Sequence, residues 1–181
     1  MQNGTMIIYY GSPHEFGNVS TLADAFAQAA AHSYTVKKVY LNNVTIHPCQ
    51  GCNHCKDQEG ACVLQDDMIP LAQDFINASA VCFATSVYWW GVTAQTKLFI
   101  DRLYMIPKEA FVGKKLYVIA VGEDELNGIQ YELINRQFKE IAAYCNMEYA
   151  GYLPVSADDD RPASENKEAM EQARTLIKET T

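Results

Sequence analysis

Positive charge is scarce in this chain: 14 Lys and Arg stand against 22 Asp and Glu among 181 residues, a formal net charge of −8. A nucleic-acid surface has to be basic and an anionic membrane attracts basic partners, so neither is expected. Long apolar runs are missing as well, since no stretch approaches the ~20 residues of a membrane-spanning helix. The opening Met-Gln-Asn-Gly-Thr-Met-Ile-Ile-Tyr-Tyr lacks the basic region and extended apolar core of a secretory leader. The expectation is a soluble, cytoplasmic protein. Repeats, low-complexity tracts and linker-like shifts in composition are absent too, so residues 1–181 read as one domain. Neither G-x-x-x-x-G-K-[ST] nor G-x-G-x-x-G occurs, which excludes a nucleoside-triphosphate loop and the usual dinucleotide fingerprint.

What is present is alternation. Met6 to Tyr10 is a compact apolar run closed by Gly11 and predicts a buried strand. Helical spacing follows from Asn18 to His32, with Val19, Leu22, Ala23, Phe26 and Ala30 on one face. Further strands are predicted at Thr35–Leu41, Ala80–Thr85, Lys115–Gly122 and Glu148–Val155. Further helices are predicted after an Asp66-Asp67 N-cap, then at Thr93–Leu103, Leu126–Cys145 and Ser164–Glu179. Five strands alternating with helices imply an α/β three-layer sandwich with a parallel sheet, its leading order 2-1-3-4-5. In that order a ligand crevice lies beyond the carboxyl ends of strands 1 and 3.

Both of those ends carry unusual residues. The first loop, Gly11-Ser12-Pro13-His14-Glu15-Phe16-Gly17-Asn18-Val19-Ser20, is small and hydroxyl-rich and runs into a helix N-terminus, where free amides and the helix dipole favour a phosphate. Ser12, Asn18 and Ser20 offer side-chain hydrogen bonds, and His14 is the one candidate cation. The second loop, Thr85-Ser86-Val87-Tyr88-Trp89-Trp90-Gly91, holds both tryptophans of the chain, aromatics suited to a planar heterocycle. A phosphate site beside a ring site points to flavin mononucleotide (FMN).

Six cysteines complete the inventory. Cys49, Cys52, Cys55 and Cys62 fall in one long loop after strand 2, and in a reducing compartment they are not expected as structural disulfides. Their spacing suits a [4Fe–4S] cluster or tetrahedral zinc; free or reversibly oxidised thiols are the third reading. Cys82 and Cys145 are expected as buried hydrophobes, and His47 and His54 as solvent-facing loop residues. Lys97 and Arg102 are expected as ordinary surface charges, and Glu123-Asp124-Glu125 as a solvated turn.

Gly11-Ser12-Pro13…Gly17-Asn18…Leu22, Cys49-x-Gly51-Cys52-x-x-Cys55…Cys62, Asp66-Asp67-Met68, Val87-Tyr88-Trp89-Trp90-Gly91 and Lys97-x-x-x-Asp101-Arg102 occur in one order. Together they resemble the NADPH-dependent FMN reductase and iron–sulfur flavoprotein families over roughly residues 5 to 155. The resemblance implies a flavodoxin-like fold, with the FMN phosphate at Ser12 and Gly17 to Ser20 and the ring at Ser86 to Gly91; His14 and Thr85, from the same two loops, are further cofactor-binding candidates. It places a further contact in the loop after the fourth predicted strand, around Gly122 to Asp124. Relatives often have Arg at the position of His14, a hydroxyl at Val19 and Pro at Ser86, so the chain departs from the pattern there. Activity is then expected as hydride transfer from NAD(P)H, with electrons passed to a flavin, quinone or similar small-molecule acceptor. The alternative is an electron carrier served by ferredoxin, with Cys49, Cys52, Cys55 and Cys62 as cluster ligands. Relatives imply a homodimer or homotetramer.

Overall fold

The computed structural model describes residues 4–58 and 61–178. Its strands are β1 (Thr5–Tyr10), β2 (Thr35–Tyr40), β3 (Ala80–Tyr88), the two-residue β4 (Gly91–Val92), β5 (Lys115–Gly122) and β6 (Glu148–Ser156). Five of them pair in parallel as β2-β1-β3-β5-β6, the predicted order, while β4 folds back antiparallel on the tip of β3. The segment read from sequence as a loop over residues 86–92 is therefore a hairpin. Strand β3 runs on to Tyr88 because Val87 and Tyr88 find partners in Val92 and Gly91.

Strands buried on both faces need apolar residues without alternation, and β1, β3 and β5 supply them. Met6, Ile8 and Tyr10 pack on one side, under α1 (Asn18–Ala30) and the last helix; Ile7 and Tyr9 pack on the other. Edge strand β2 instead exposes Lys37 and Lys38, ion-paired to Asp74 and Asp24, and charge of this kind discourages edge-to-edge pairing. The short α2 (His54–Asp57) lies in the cysteine loop. Helices α3 (Met68–Asn77), α4 (Ala94–Arg102) and α5 (Ile129–Cys145) cover the second face, through residues such as Phe75, Phe99 and Phe138. Helix α6 (Lys167–Thr175) joins α1 on the first face through Ala169 and Ala173. Its predicted start at Ser164 falls instead in a turn, and Glu179 lies outside the described residues. Cys82 is buried as expected, whereas Cys145 is only partly covered.

The ends of β1, β3 and α4 are sewn together by hydroxyls. Thr93 caps α4 and donates to the Gly11 carbonyl at 2.5 Å, Thr96 lies 2.9 Å from Thr93 Oγ1, and Thr85 Oγ1 accepts the Thr93 amide at 3.2 Å. Gly11 also donates its N–H to Ala84 at 2.7 Å. A Cβ at Gly11 would run into Thr96 Oγ1 and crowd the Ala84 carbonyl. Gly11→Ala is therefore expected to cost about 1–3 kcal/mol, read as a lower denaturation midpoint at unchanged slope.

Candidate functional site

The carboxyl ends of the central strands open into one cleft of about 1050 Å³. Its first wall is the β1–α1 loop. Gly17 stands in extended backbone before α1 (φ −170°), and its carbonyl accepts both the amide and the hydroxyl of Thr21, each at 2.9 Å. The amides of Asn18, Val19 and Ser20 have no intrahelical acceptor, and they sit at the positive end of the dipole. Two of the expected side-chain contacts are spent elsewhere. Ser20 Oγ accepts the Gly17 amide at 2.9 Å and donates to its carbonyl at 3.0 Å, which closes the cap and keeps Ser20 out of the lining. Asn18 donates to the Asp158 carbonyl at 3.3 Å and accepts the Ala163 amide at 2.8 Å, so its side chain anchors the β6–α6 connection. Ser12 and His14 line the cleft, with Ser12 Oγ accepting the His14 amide at 3.2 Å.

The second wall is the β3–β4 hairpin. Pairing of Tyr88 with Gly91 leaves Trp89 and Trp90 as the two turn residues, with φ of 48° and 62°. Such turns favour Asn-Gly because both central residues take left-handed backbone, which costs roughly 1–2 kcal/mol per side-chain-bearing residue. Here two tryptophans take it. Trp89 is 91% exposed, and its ring centroid lies 6.1 Å from that of Trp90. Ser86, Val87 and Tyr88 join the Trp pair in the lining, and so does Phe16 from the first wall, 92% exposed. Thr85 and Gly91, expected at the ring, do not line the cleft: Thr85 is buried in the threonine network and Gly91 belongs to β4.

The third wall joins Gly122, Glu123 and Asp124 to residues 157–160. The acidic run is exposed, as expected, but it is braced rather than free. Hydrogen bonds from Gln130 Nε2 at 3.0 Å and the Glu125 amide at 2.9 Å hold the Asp124 carboxyl below the usual range. Arg161 bridges the two loops, donating to Asp158 Oδ2 at 2.6 Å and to the Glu123 carbonyl at 3.1 Å. Phe16, Gln130 and Asp158 to Asp160 escaped the sequence reading, because nothing in a lone turn or helix start announces which cleft it will border.

A second, much smaller pocket of about 30 Å³ is lined by all four loop cysteines together with Arg102. Among the described residues no three His, Cys, Asp or Glu side chains are arranged to hold a metal ion. The donor chemistry nonetheless suits a soft metal: four thiols share one pocket with one buried guanidinium. Arg102 is not the surface charge the sequence suggested. It is 2% exposed and forks onto Asp66 at 2.6 and 3.1 Å, and it donates further to the His47 carbonyl at 2.9 Å and Cys62 Sγ at 3.4 Å. Asp66 in turn accepts the amides of His47 at 2.9 Å and Met68 at 3.1 Å. Asp67, expected to share the helix cap, accepts the Thr45 amide instead at 2.7 Å. His47 and His54 are exposed, as expected.

Residues 5–149 match the family model of the NADPH-dependent FMN reductases. An iron-sulfur flavoprotein of Archaeoglobus fulgidus is 40% identical over 155 residues, which cover 80% of this chain and 63% of that protein. The chain thus spans under two thirds of that relative's length. A putative NAD(P)H-dependent FMN-containing oxidoreductase of Bacillus subtilis is 30% identical over 165 residues, covering 86% of this chain and 88% of the relative. Among solved structures, the Trp repressor binding protein from Bacillus subtilis superposes with a TM-score of 0.70 at 26% identity, covering 95% of this chain and 98% of that one.

Proposed function

The chain belongs to the NADPH-dependent FMN reductase family, and from that premise we propose that it is an FMN-binding oxidoreductase fed by NAD(P)H. The observation that carries this reading is the pairing, in one 1050 Å³ cleft, of an open helix N-terminus with an aromatic hairpin. FMN needs both, an anion site for its phosphate and a flat apolar flank for its ring system. The residues fit. Amides of Asn18 and Val19 face the phosphate role, with Ser12 and His14 beside them; Ser86 to Trp90 and Gly122 border the ring.

When bound, FMN supplies hydride acceptance from the nicotinamide and onward electron donation. The chain's own residues orient and shield. Gly11 and the threonine network fix the distance between the first and second walls, while Asn18 and Arg161 brace the outer loops. The Trp pair would cover one side of the ring. The acceptor would be a flavin, quinone or similar small molecule. Exposed Leu126, Ile129 and Leu133, with Phe16 and Trp89 of the cleft lining, support a homodimer or homotetramer. Among the described residues no helix is long and apolar enough to cross a membrane, and the free cysteines suit a reducing cytoplasm.

Both tryptophans of the chain lie at this cleft, so intrinsic fluorescence reports on it directly. Saturable, equimolar quenching by FMN is expected, followed by anaerobic bleaching of the visible flavin band on adding NADH or NADPH. Emission that stays unchanged at saturating FMN sinks the proposal.

A second reading rests on a separate observation, the convergence of Cys49, Cys52, Cys55 and Cys62 on one pocket. In that reading the thiols ligate a [4Fe–4S] cluster and the protein relays electrons between a ferredoxin and FMN. Helix α4 supports it: its N-cap is bonded to Gly11, the neighbour of cleft-lining Ser12, and its last residue, Arg102, lies in the thiol pocket. Nine residues at about 1.5 Å rise put the two sites roughly one short helix apart.

A further inference from the structure

We propose that Arg102 is the positioning residue of the thiol pocket, the buried cation that holds Cys62 by its sulfur and supports thiolate ligation of a soft metal there. The inference rests on the second reading above and is independent of nicotinamide turnover.

A guanidinium has five N–H donors and no acceptor. In Arg102, two go to the Asp66 carboxylate, one to the His47 carbonyl and one to Cys62 Sγ; the Nε–H is buried without a partner. A tie between the loop and α4 is already complete with Asp66 and His47. The bond to Cys62 and the idle Nε–H exceed what anchoring requires. A neutral thiol sulfur is a weak acceptor, whereas a charged thiolate sulfur accepts far more strongly. The contact thus gains most when the pocket carries negative charge on sulfur.

Charge balance points the same way. Thiols bind a metal as thiolates, each releasing a proton to solvent, so four of them around a divalent ion leave a net negative site. Among the described residues Arg102 is the sole basic residue lining the pocket, beside the carboxylate of Asp101. Asp66 neutralises one edge of its guanidinium and orients the other toward Cys62, an arrangement typical of groups that fix a metal ligand from behind. Lysine lacks the planar fork and cannot hold Asp66 and Cys62 in the same way.

The probe is Co(II), titrated anaerobically into the reduced full-length protein and read by the thiolate-to-cobalt charge-transfer band. Loss of a group behind a ligand typically weakens metal affinity by about 10–100-fold. That loss is expected for Arg102→Gln and, in its lower part, for Arg102→Lys, with the band moving to lower energy as the hydrogen bond to sulfur goes. In a Cys62→Ser background the Arg102→Lys effect is expected to fall below about twofold, since the two act through one contact. Circular dichroism checks the fold; should Arg102→Gln not fold, Arg102→Lys and the cycle decide alone. Equal affinity in wild type and Arg102→Lys, or the same loss in both backgrounds, overturns the proposal. A wild type with no thiolate–cobalt band overturns the ligation reading and this inference with it. Neither result touches the FMN reading, which is measured separately by fluorescence.

Discussion

Replacing Asp66 with alanine is expected to destabilise the protein by about 3–5 kcal/mol, because it leaves the Arg102 charge buried and unpaired. Both side chains of this pair are 1% exposed, so water does not compensate. At roughly 2–4 °C per kcal/mol for a domain of this size, the melting temperature should fall by about 6–20 °C. The pH dependence gives the signature. Burial alone would raise the Asp66 carboxyl, but hydrogen bonds from Arg102 and the amides of His47 and Met68 outweigh it and hold the group below its ordinary 3.8. A group depressed in the folded state stabilises fully above its unfolded value and loses that contribution as pH falls through the folded one. The gap between wild type and Asp66→Ala should therefore be full at neutral pH and shrink below about pH 3.8. Denaturant titrations across that range check it; a gap that stays constant means the carboxylate is not the source.

The second expectation has opposite signs for stability and binding. Trp89→Asn with Trp90→Gly restores the residues that a two-residue left-handed turn prefers, and should stabilise the fold by about 1–3 kcal/mol. The same change removes two aromatic faces from the cleft. At about 0.5–1.5 kcal/mol per aromatic contact beyond area burial, FMN affinity should fall by about 5- to 160-fold. Since the variant has no tryptophan, affinity is read from quenching of the flavin's own fluorescence. A gain in melting temperature together with weaker FMN binding is the expected pair. Unchanged affinity would mean that the hairpin packs against something other than the ring. Strain held at two adjacent residues is otherwise hard to explain in a solvent-facing turn, since backbone strain of this kind concentrates at functional sites.

Much of this architecture is legible from residue order alone. Five strands and their order followed from alternation, because unbroken apolar runs such as Met6 to Tyr10 demand helices on both faces and right-handed crossovers. The cleft's location followed from that order, and so did the two loops that face it. Local chemistry explains the success: a strand's period, a helix's apolar face and a glycine before a helix are properties of neighbours in the chain.

Less legible were the partners of individual side chains. Asn18 and Ser20 read as phosphate contacts, and their side chains bond Asp158, Ala163 and Gly17. Thr85 read as a ring contact and is a buried link to Thr93. Arg102 read as a surface charge and is a buried cation lining the cysteine pocket. Each of these was decided by a partner 3 to 145 residues away in sequence.

The same division holds for charge and sulfur. Scarcity of positive charge and of long apolar runs carries the expectation of no nucleic-acid or membrane partner, because composition is a sum that residue order alone supplies. That four cysteines share one pocket with a buried arginine, and that two tryptophans carry a strained turn at the rim of a cleft, were decided only by the tertiary structure. A hydrogen bond, an ion pair or a cavity depends on where distant segments meet, and that is fixed by the packing of the whole chain.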